Sequence, residues 1–567
     1  DAATVLTPER LSEEHRLIGQ TADEFIENEV LPVLEKLEEK DWTLARQLVR
    51  RAGELGLLGT DVPESLGGVE LDKAAALVVG ESVGQSASFA TTFGAQTGLA
   101  VMPLLCSGSE EQKRKYLPRL VSGEMVGAYA LSESGSGSDA LSARARAEKQ
   151  PDGTYLLNGE KMWITNGGFA DLFIVFAKVA DGSEAGQFTA FIVERAFPGV
   201  SSGKEEHKMG LHGSSTTPLI MQDARVPAEN VLGEVGKGHK VAFNVLNYGR
   251  FKLGAMCSGG AQRVIAQAAA YAAQRKQFGQ PIAAFGAVRH KLAEMVIREY
   301  AVEAMLYRTA GLIDGMLHGT GASESVMAAL EEFAIEASIV KVAGSEMIDY
   351  VVDENVQIHG GNGFVRDYPA ERQYRDARVN RIFEGTNEIN RLLIPGMLAK
   401  RAVKGTLPLI PAARRLQDEL LTPSPAAPAG ETPLDDARKA VVGMKKTALM
   451  VLGTAMQTYG PKLGDEQEIL TRSADILIDV YAADSVVIRA TEARTPLHAA
   501  AACAFVTDAA GRVEMAARDA LAGMADGDTL RTLLAALKRL MKVAPANAVA
   551  LRRQLADAVA ERRVYPF

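Results

Sequence analysis

Leu172-Phe173-Ile174-Val175-Phe176-Ala177-Lys178-Val179 is a run of apolar, β-branched and aromatic residues with the composition of a strand. Three further runs of the same character lie around it, at residues 154–158, 187–194 and 218–226. Pro151-Asp152-Gly153 and Asp181-Gly182-Ser183 supply turns between them. No helical pattern intervenes, so the spacing predicts an antiparallel sheet. Outward from the sheet, the pattern becomes helical. Upstream, Ile18, Ala22 and Phe25 recur at helical spacing among Glu13, Glu14, Asp23 and Glu24, and Pro32 ends or kinks that helix. Residues 87–105 are small and apolar and read as a buried helix. Downstream, residues 241–248 run towards Gly254, and helices at 259–277, 287–317 and 324–357 follow. The fold class is mostly α with a central antiparallel β domain. It divides into a helical domain (1–126), a β domain (127–238), a helical bundle (239–405), a linker (406–434) and a C-terminal helical domain (435–567). The linker is marked by the Pro/Ala-rich stretch 421–434. In the last domain Leu470, Ala474, Leu477 and Tyr481 form a core stripe.

The 62 basic and 71 acidic residues leave a net charge of −9, which does not favour a nucleic-acid binder. Three widely spaced cysteines, Cys106, Cys257 and Cys503, exclude a disulfide framework and suit a reducing interior. The histidines show no metal-ligand spacing, so no metal site is expected. No run of 18 or more apolar residues occurs, so no transmembrane helix is expected.

Three segments can carry chemistry. In Arg381-Ile382-Phe383-Glu384-Gly385-Thr386-Asn387-Glu388, a carboxylate follows two apolar residues, which raises its pKa towards the range of a general base. Gly385 lets a ligand approach the backbone, and a helix capped by Thr386 offers free N–H groups to an anion. Tyr129-Ala130-Leu131-Ser132-Glu133-Ser134-Gly135-Ser136-Gly137-Ser138-Asp139 is a small-residue loop suited to a flat ring or a phosphate. Lys161-Met162-Trp163-Ile164-Thr165-Asn166-Gly167-Gly168 places an indole beside a hydroxyl, which can pack on a ring and hydrogen-bond to it. Gly233-Glu234-Val235-Gly236-Lys237-Gly238 lacks the features of a P-loop or dinucleotide fingerprint and reads as a turn before a helix. Arg372, Arg375, Arg378 and Arg381 read as an ion-pair ladder.

In this order and combination the segments resemble the acyl-CoA dehydrogenase family, most closely its very-long-chain branch, from the first helix to about Lys400. The resemblance implies FAD as cofactor and a fatty acyl-CoA as substrate. It implies Glu384 as the catalytic base, taking the α-proton of the thioester while the β-hydrogen leaves as hydride. Gly249 falls where another branch keeps its base. Tyr129, Leu131, Ser132, Gly137, Ser138, Trp163, Ile164 and Thr165 match the flavin-side segments. Arg275 and Phe278, with Gln357, Ile358, His359, Gly360 and Gly361, match segments that hold the adenylate half of a neighbouring subunit's FAD, which implies at least a dimer. Thr386, Asn387 and Glu388 match further FAD contacts. Ser138, Asn247, Tyr248, Gly249, Arg250 and Gly385 match substrate-binding positions. Two departures stand out: Ser134 replaces the usual Pro in the flavin loop, which should loosen that turn, and Gly286 replaces a Gln that contacts FAD.

Ala100 and Pro103 fall where the very-long-chain branch has small residues on the pocket helix, implying acyl chains of about C12 or longer. The branch also carries a C-terminal helical extension, forms a homodimer and passes electrons to electron-transfer flavoprotein. The segment 407–421, with Arg414 and Arg415, is modestly amphipathic and suits surface packing or peripheral membrane contact. An intracellular location follows, either bacterial cytoplasm or the mitochondrial matrix and inner membrane. The alternatives are an acyl-CoA oxidase and an assembly protein that retains the dehydrogenase fold.

Overall fold

The computed structural model describes residues 4–180, 184, 186–317, 323–422, 430–544 and 546–567. The Asp181-Gly182-Ser183 turn and residues 423–429 of the linker lie outside the described residues.

The expected helix–sheet–helix order holds, but the sheet is mixed rather than antiparallel. Eight strands form it: β1 Gly127–Ala130, β2 Arg146–Lys149, β3 Tyr155–Thr165, β4 Leu172–Val179, β5 Phe188–Glu194, β6 Val200–Ser202, β7 Thr216–Val226 and β8 Val231–Leu232. The order is β6-β7-β3-β2-β4-β5-β8, with β1 also on β4. Both parallel pairings involve β4. β1 pairs with its first half (Gly127↔Leu172 to Ala130↔Val175) and β2 with its second (Arg146↔Lys178, Ala147↔Val179). The two short strands therefore share one edge of β4, end to end. The loop 131–145 leaves at their junction and returns the chain in the same direction.

β4 is buried on both faces, and its alternation sorts the core. Leu172, Ile174 and Phe176 join one apolar cluster, which extends through the helical bundle into the C-terminal helices. Phe173, Val175, Ala177 and Val179 join another, with Phe25, Leu48, Phe89 and Phe93 of the N-terminal helices.

Two helical expectations change, and the buried helix expected at 87–105 holds with one irregularity. The two segments expected at 241–248 and 259–277 are one helix, Gly238–Gln274. Its glycines permit close approach instead of ending it: a Cβ at Gly259 would lie 1.7 Å from the Glu81 carbonyl oxygen. The helix expected at 324–357 is two, Ser323–Glu332 and Ala334–His359, parted at Phe333. The segment 87–107 is continuous helix with a π-helical turn at Ala95–Val101. By length and composition (mean hydropathy 1.3) Ala87–Ser107 could cross a membrane, yet 78% of that window is buried inside the fold. It is apolar because it is core.

The C-terminal helices Pro433–Tyr459, Gln467–Ala493, Pro496–Met524 and Ala548–Arg562 pack on the bundle helices Gly286–Leu317 and Asn387–Val403, and Gly527–Leu540 packs on Pro433–Tyr459 and Pro496–Met524. Leu470 and Ala474 are buried as expected, and Tyr481 hydrogen-bonds Thr309 across that junction at 3.0 Å.

Candidate active site

Glu384 sits in the bend between Arg378–Arg381 and the helix Asn387–Val403. Its φ is +57° and that of Gly385 is +76°. A left-handed conformation is unfavourable for a residue with a Cβ, so the surroundings must hold it. They do so through carbonyls. Arg250 Nε donates to the Glu384 carbonyl at 3.2 Å. Lys341 Nζ and Asn390 Nδ2 donate to the Gly385 carbonyl at 2.7 and 2.8 Å. Thr386 caps the next helix, accepting from Ile389 N at 3.2 Å.

The Glu384 carboxylate lies against Gly249, where a Cβ would come within 2.7 Å of Oε2. Oε2 is buried and has no hydrogen-bond partner. Burial pushes the carboxyl up to about 7, against the opposing pull of Arg250 and Lys341. Among the described residues, the N–H groups of Glu384 and Gly385 donate to nothing.

Glu384, Gly249 and Thr165 line one cavity of about 340 Å³. The sheet thus faces the bundle across it. Tyr129, from β1, also feels the Glu384 charge, which with burial raises its hydroxyl well above the usual range. Elsewhere the wall includes the small residues Ala87, Ala90, Gly94, Ala95 and Gly98 and the apolar Met256, together with polar side chains such as Gln85, Arg263 and Arg372. Ala100 and Pro103 lie off this wall; Ala100 packs where a Cβ on Gly127 would come within 2.3 Å of it.

On the sheet side, Trp163 occupies an irregularity of β3 with φ +59° and its side chain is 57% exposed. Ile164 points into the core, so only its backbone can serve a ligand. The loop after β1 is anchored beneath by Lys161, fully buried, which donates to Glu133 Oε1 at 2.6 Å and to the Leu131 carbonyl at 3.1 Å. Met162 N donates to the Ser132 carbonyl at 2.9 Å. Reciprocal backbone bonds between Glu133 and Ser136 (3.0 and 3.1 Å) close the turn at Ser134. Ser138 is exposed, and a Cβ at Gly137 would meet nothing within 4 Å.

The bundle-side residues divide. Asn247 Oδ1 accepts from Arg250 Nη1 at 2.8 Å and so orients it. Tyr248 turns away from the cavity lining to a buried cluster, bonded to Asp61, which Lys73 also contacts at 2.6 Å. Asn387 is buried and bridges Lys341 and Glu346, whereas Glu388 is exposed in the first helical turn.

Lys341, Lys161 and Glu133 carry structure that the sequence reading did not assign. Lys341 stands in the apolar run Ile339-Val340-Lys341-Val342, and a lysine amid such residues was the available signal. The arginine series separates into individual pairs: Arg372–Glu35, Arg375–Glu371 and Arg381–Asp349. Burial pushes the Cys106 and Cys257 thiols up to about 12, so both are inert.

Family models for the N-terminal, middle and C-terminal domains of acyl-CoA dehydrogenase match residues 12–124, 128–224 and 236–398. A further acyl-CoA dehydrogenase C-terminal domain model matches 443–539. A Bacillus subtilis (strain 168) protein named "Probable acyl-CoA dehydrogenase" is 47% identical over 99% of this chain and 96% of its own. The chain belongs to the acyl-CoA dehydrogenase family. It is accordingly an FAD-dependent oxidoreductase. The human very long-chain specific acyl-CoA dehydrogenase is 44% identical over 64% of this chain and 53% of its own length. The crystal structure of a Bacillus anthracis acyl-CoA dehydrogenase complexed with FAD superposes with a TM-score of 0.96, at 46% identity, over 100% of this chain and 97% of that one.

The residues present fit FAD. Glu384, with its partner-free Oε2, lines the cavity that Thr165 closes from the sheet side. A second group of family positions lies outside this cavity. Tyr271 joins its two halves, stacking on His359 with ring centroids 4.0 Å apart, four residues before Arg275. Phe278 is 93% exposed, Gln357 is exposed, and at Gly360 and Gly361 a Cβ would meet nothing within 4 Å; Ile358 points into the core. At Gly286, which begins the helix Gly286–Leu317, there is no side chain to reach a cofactor.

Proposed function

We propose that this enzyme removes one hydrogen from each of the α and β carbons of a long-chain fatty acyl-CoA, giving the trans-2-enoyl-CoA, with Glu384 as the base. The observation that carries this reading is a carboxylate poised near pH 7, with one oxygen unpartnered, aimed into a cavity from a strained bend. Ionised Glu384 accepts the α-proton. The free N–H of Glu384 stabilises the thioester oxygen as negative charge develops there, and so acidifies that proton. Arg250 and Lys341 hold the backbone carbonyls of residues 384 and 385, keeping that N–H and the carboxylate in fixed relation. FAD, when bound, supplies the acceptor for the β-hydrogen. Thr165, Trp163, Ser132 and Tyr129 would hold its ring system against the sheet, and Thr386 and Glu388 would meet it from the bundle. Arg275, Phe278, Gln357 and Gly360 would reach the FAD of a partner subunit, which makes the working enzyme at least a dimer. Their exposure in the single chain supports this.

Preference for acyl chains of about C12 or longer follows from the small-residue wall formed by Ala87, Ala90, Gly94, Ala95 and Gly98. Electron-transfer flavoprotein, rather than oxygen, is the proposed electron acceptor. Anaerobic titration of the purified flavoprotein with hexadecanoyl-CoA tests the reading: flavin absorbance should bleach, and Glu384→Gln should abolish bleaching while retaining FAD. A Glu384→Gln enzyme that still bleaches overturns it. Reoxidation by oxygen as fast as by electron-transfer flavoprotein overturns the assignment of acceptor.

A further inference from the structure

The bend that presents Glu384 is tied to the C-terminal helices by a continuous polar chain. Lys341 Nζ, on the helix Ala334–His359, donates to the Gly385 carbonyl and to Asn387 Oδ1, both at 2.7 Å. Asn387 Nδ2 donates to Glu346 Oε1 at 3.0 Å. Arg391 grips Glu346 with both terminal nitrogens, at 2.6 and 2.9 Å. Its remaining Nε donates to Asp475 Oδ1 at 2.8 Å. Asp475 belongs to the helix Gln467–Ala493, more than 70 residues beyond the match to the three core family models.

Each link fixes the next by its donor and acceptor inventory. The Asn387 amide has one orientation that serves both neighbours, oxygen towards the ammonium and nitrogen towards the carboxylate. Glu346, held by Arg391 through both of its oxygens, supports that orientation together with Ser345 Oγ, which accepts from Asn387 Nδ2 at 3.0 Å. Arg391 has Nε left over, and Asp475 satisfies it. Lys341 is fully buried and forms no ion pair within 4 Å among the described residues, so its position rests on the Gly385 carbonyl and Asn387.

We propose that Asp475 is a positioning residue for the Glu384 bend, acting through Arg391, Glu346, Asn387 and Lys341. The proposal rests on Glu384 as the base. The charged and titratable groups acting on Glu384 are Arg250 from the helix Gly238–Gln274, Lys341 from Ala334–His359, and Tyr129 from β1. Of these, only Lys341 is an end point of the chain. Slackening the chain lets the ammonium drift from Glu384, so the carboxyl binds its proton more tightly and the bend loses definition.

The test is Asp475→Asn in the FAD-loaded full-length enzyme, assayed with hexadecanoyl-CoA across pH, with flavin content and melting temperature measured on the same samples. The expected result is kcat reduced roughly 3- to 10-fold, the acidic limb of the kcat profile moved to higher pH, KM little changed and FAD retained. Asp475→Glu should restore most of kcat. Arg391→Lys, which keeps a cation beside Glu346 but cannot reach Asp475 as well, should move the limb in the same direction. In a Lys341→Met background, Asp475→Asn should add no further loss, because the chain then has no end to act on. An unmoved acidic limb in both Asp475→Asn and Arg391→Lys overturns the proposal. So do losses that multiply in the double variant. If Glu384 were not the base, Glu384→Gln would retain turnover, an outcome separate from all of these.

Discussion

Replacing Gly249 by alanine should make the protein no less stable and much less active. The helix Gly238–Gln274 gains from the change: alanine is favoured over glycine in a helix interior by about 1 kcal/mol. The added methyl, however, arrives 2.7 Å from Glu384 Oε2 and 3.0 Å from its Cδ. Ordinary contact begins near 3.5 Å, so the carboxylate must retreat by about 0.8 Å. The fold tolerates this because the displaced atoms end a flexible side chain. The chemistry does not: a misplacement of about 1 Å costs on the order of 10²-fold. Gly249→Ala should therefore lower the first-order rate of anaerobic flavin bleaching by hexadecanoyl-CoA roughly 30- to 100-fold. Bound FAD should be unchanged and the melting temperature equal or slightly raised. A wild-type bleaching rate would show that the Glu384 carboxylate does not work from its place against Gly249. A lowered melting temperature would show that the helix is strained by more than that side chain.

Glu384 is held near pH 7 in the folded protein against 4.5 for the free side chain, so the unfolded chain releases this proton first as pH rises. Stability contributed by this group is therefore present below pH 4.5 and lost as pH rises towards 7; Glu384→Gln should match the wild type near pH 4.5 and exceed it by about 3 kcal/mol above pH 7.5, read from denaturant midpoints at each pH. The same ionisation should make wild-type kcat/KM rise with pH through about 7. Glu133→Gln leaves the buried Lys161 ammonium without its anion; a cost of about 3–5 kcal/mol should appear as release of the loop after β1 and at least ~10-fold weaker FAD retention, measured by flavin fluorescence on dilution. Ala95→Phe fills the cavity wall, so kcat/KM for a chain of about C16 should fall more than ~10-fold while a chain of about C8 is spared; equal loss for both would place the acyl tail elsewhere.

The order of domains was readable because periodicity changes from 2 to 3.6 and back. Strand direction was not. β1 and β2 are four residues each, and nothing in their composition reveals that both lie along one edge of β4. Glycine misled in the bundle: it punctuates turns in general, but Gly249 and Gly259 lie inside one 37-residue helix, where a carboxylate and a carbonyl press on them. The pocket helix shows a third limit. Ala100 and Pro103 were the small residues expected at the cavity, yet Gly94, Ala95 and Gly98 line it. That expectation rested on the family resemblance alone, which does not carry which side chains face the cavity through the π-helical turn at Ala95–Val101.

At the active site, residue types were legible and their environment was not. A carboxylate after Ile382 and Phe383 announces a raised pKa, but three features of Glu384 exist only in the fold: a positive φ, a carboxylate oxygen with no partner and an N–H with no acceptor. Each opposes stability by itself. Their coincidence at one residue has a common cause, because the backbone turn that unpairs the N–H also drives the side chain between Gly249 and the cavity. Holding such a turn needs donors to the neighbouring carbonyls, and Arg250 and Lys341 supply them from two helices as buried cations. Those cations also draw the Glu384 pKa downward, against burial. One pair of side chains therefore sets both where the base sits and when it ionises, so substitutions at Arg250 or Lys341 should move geometry and pH dependence together rather than separately.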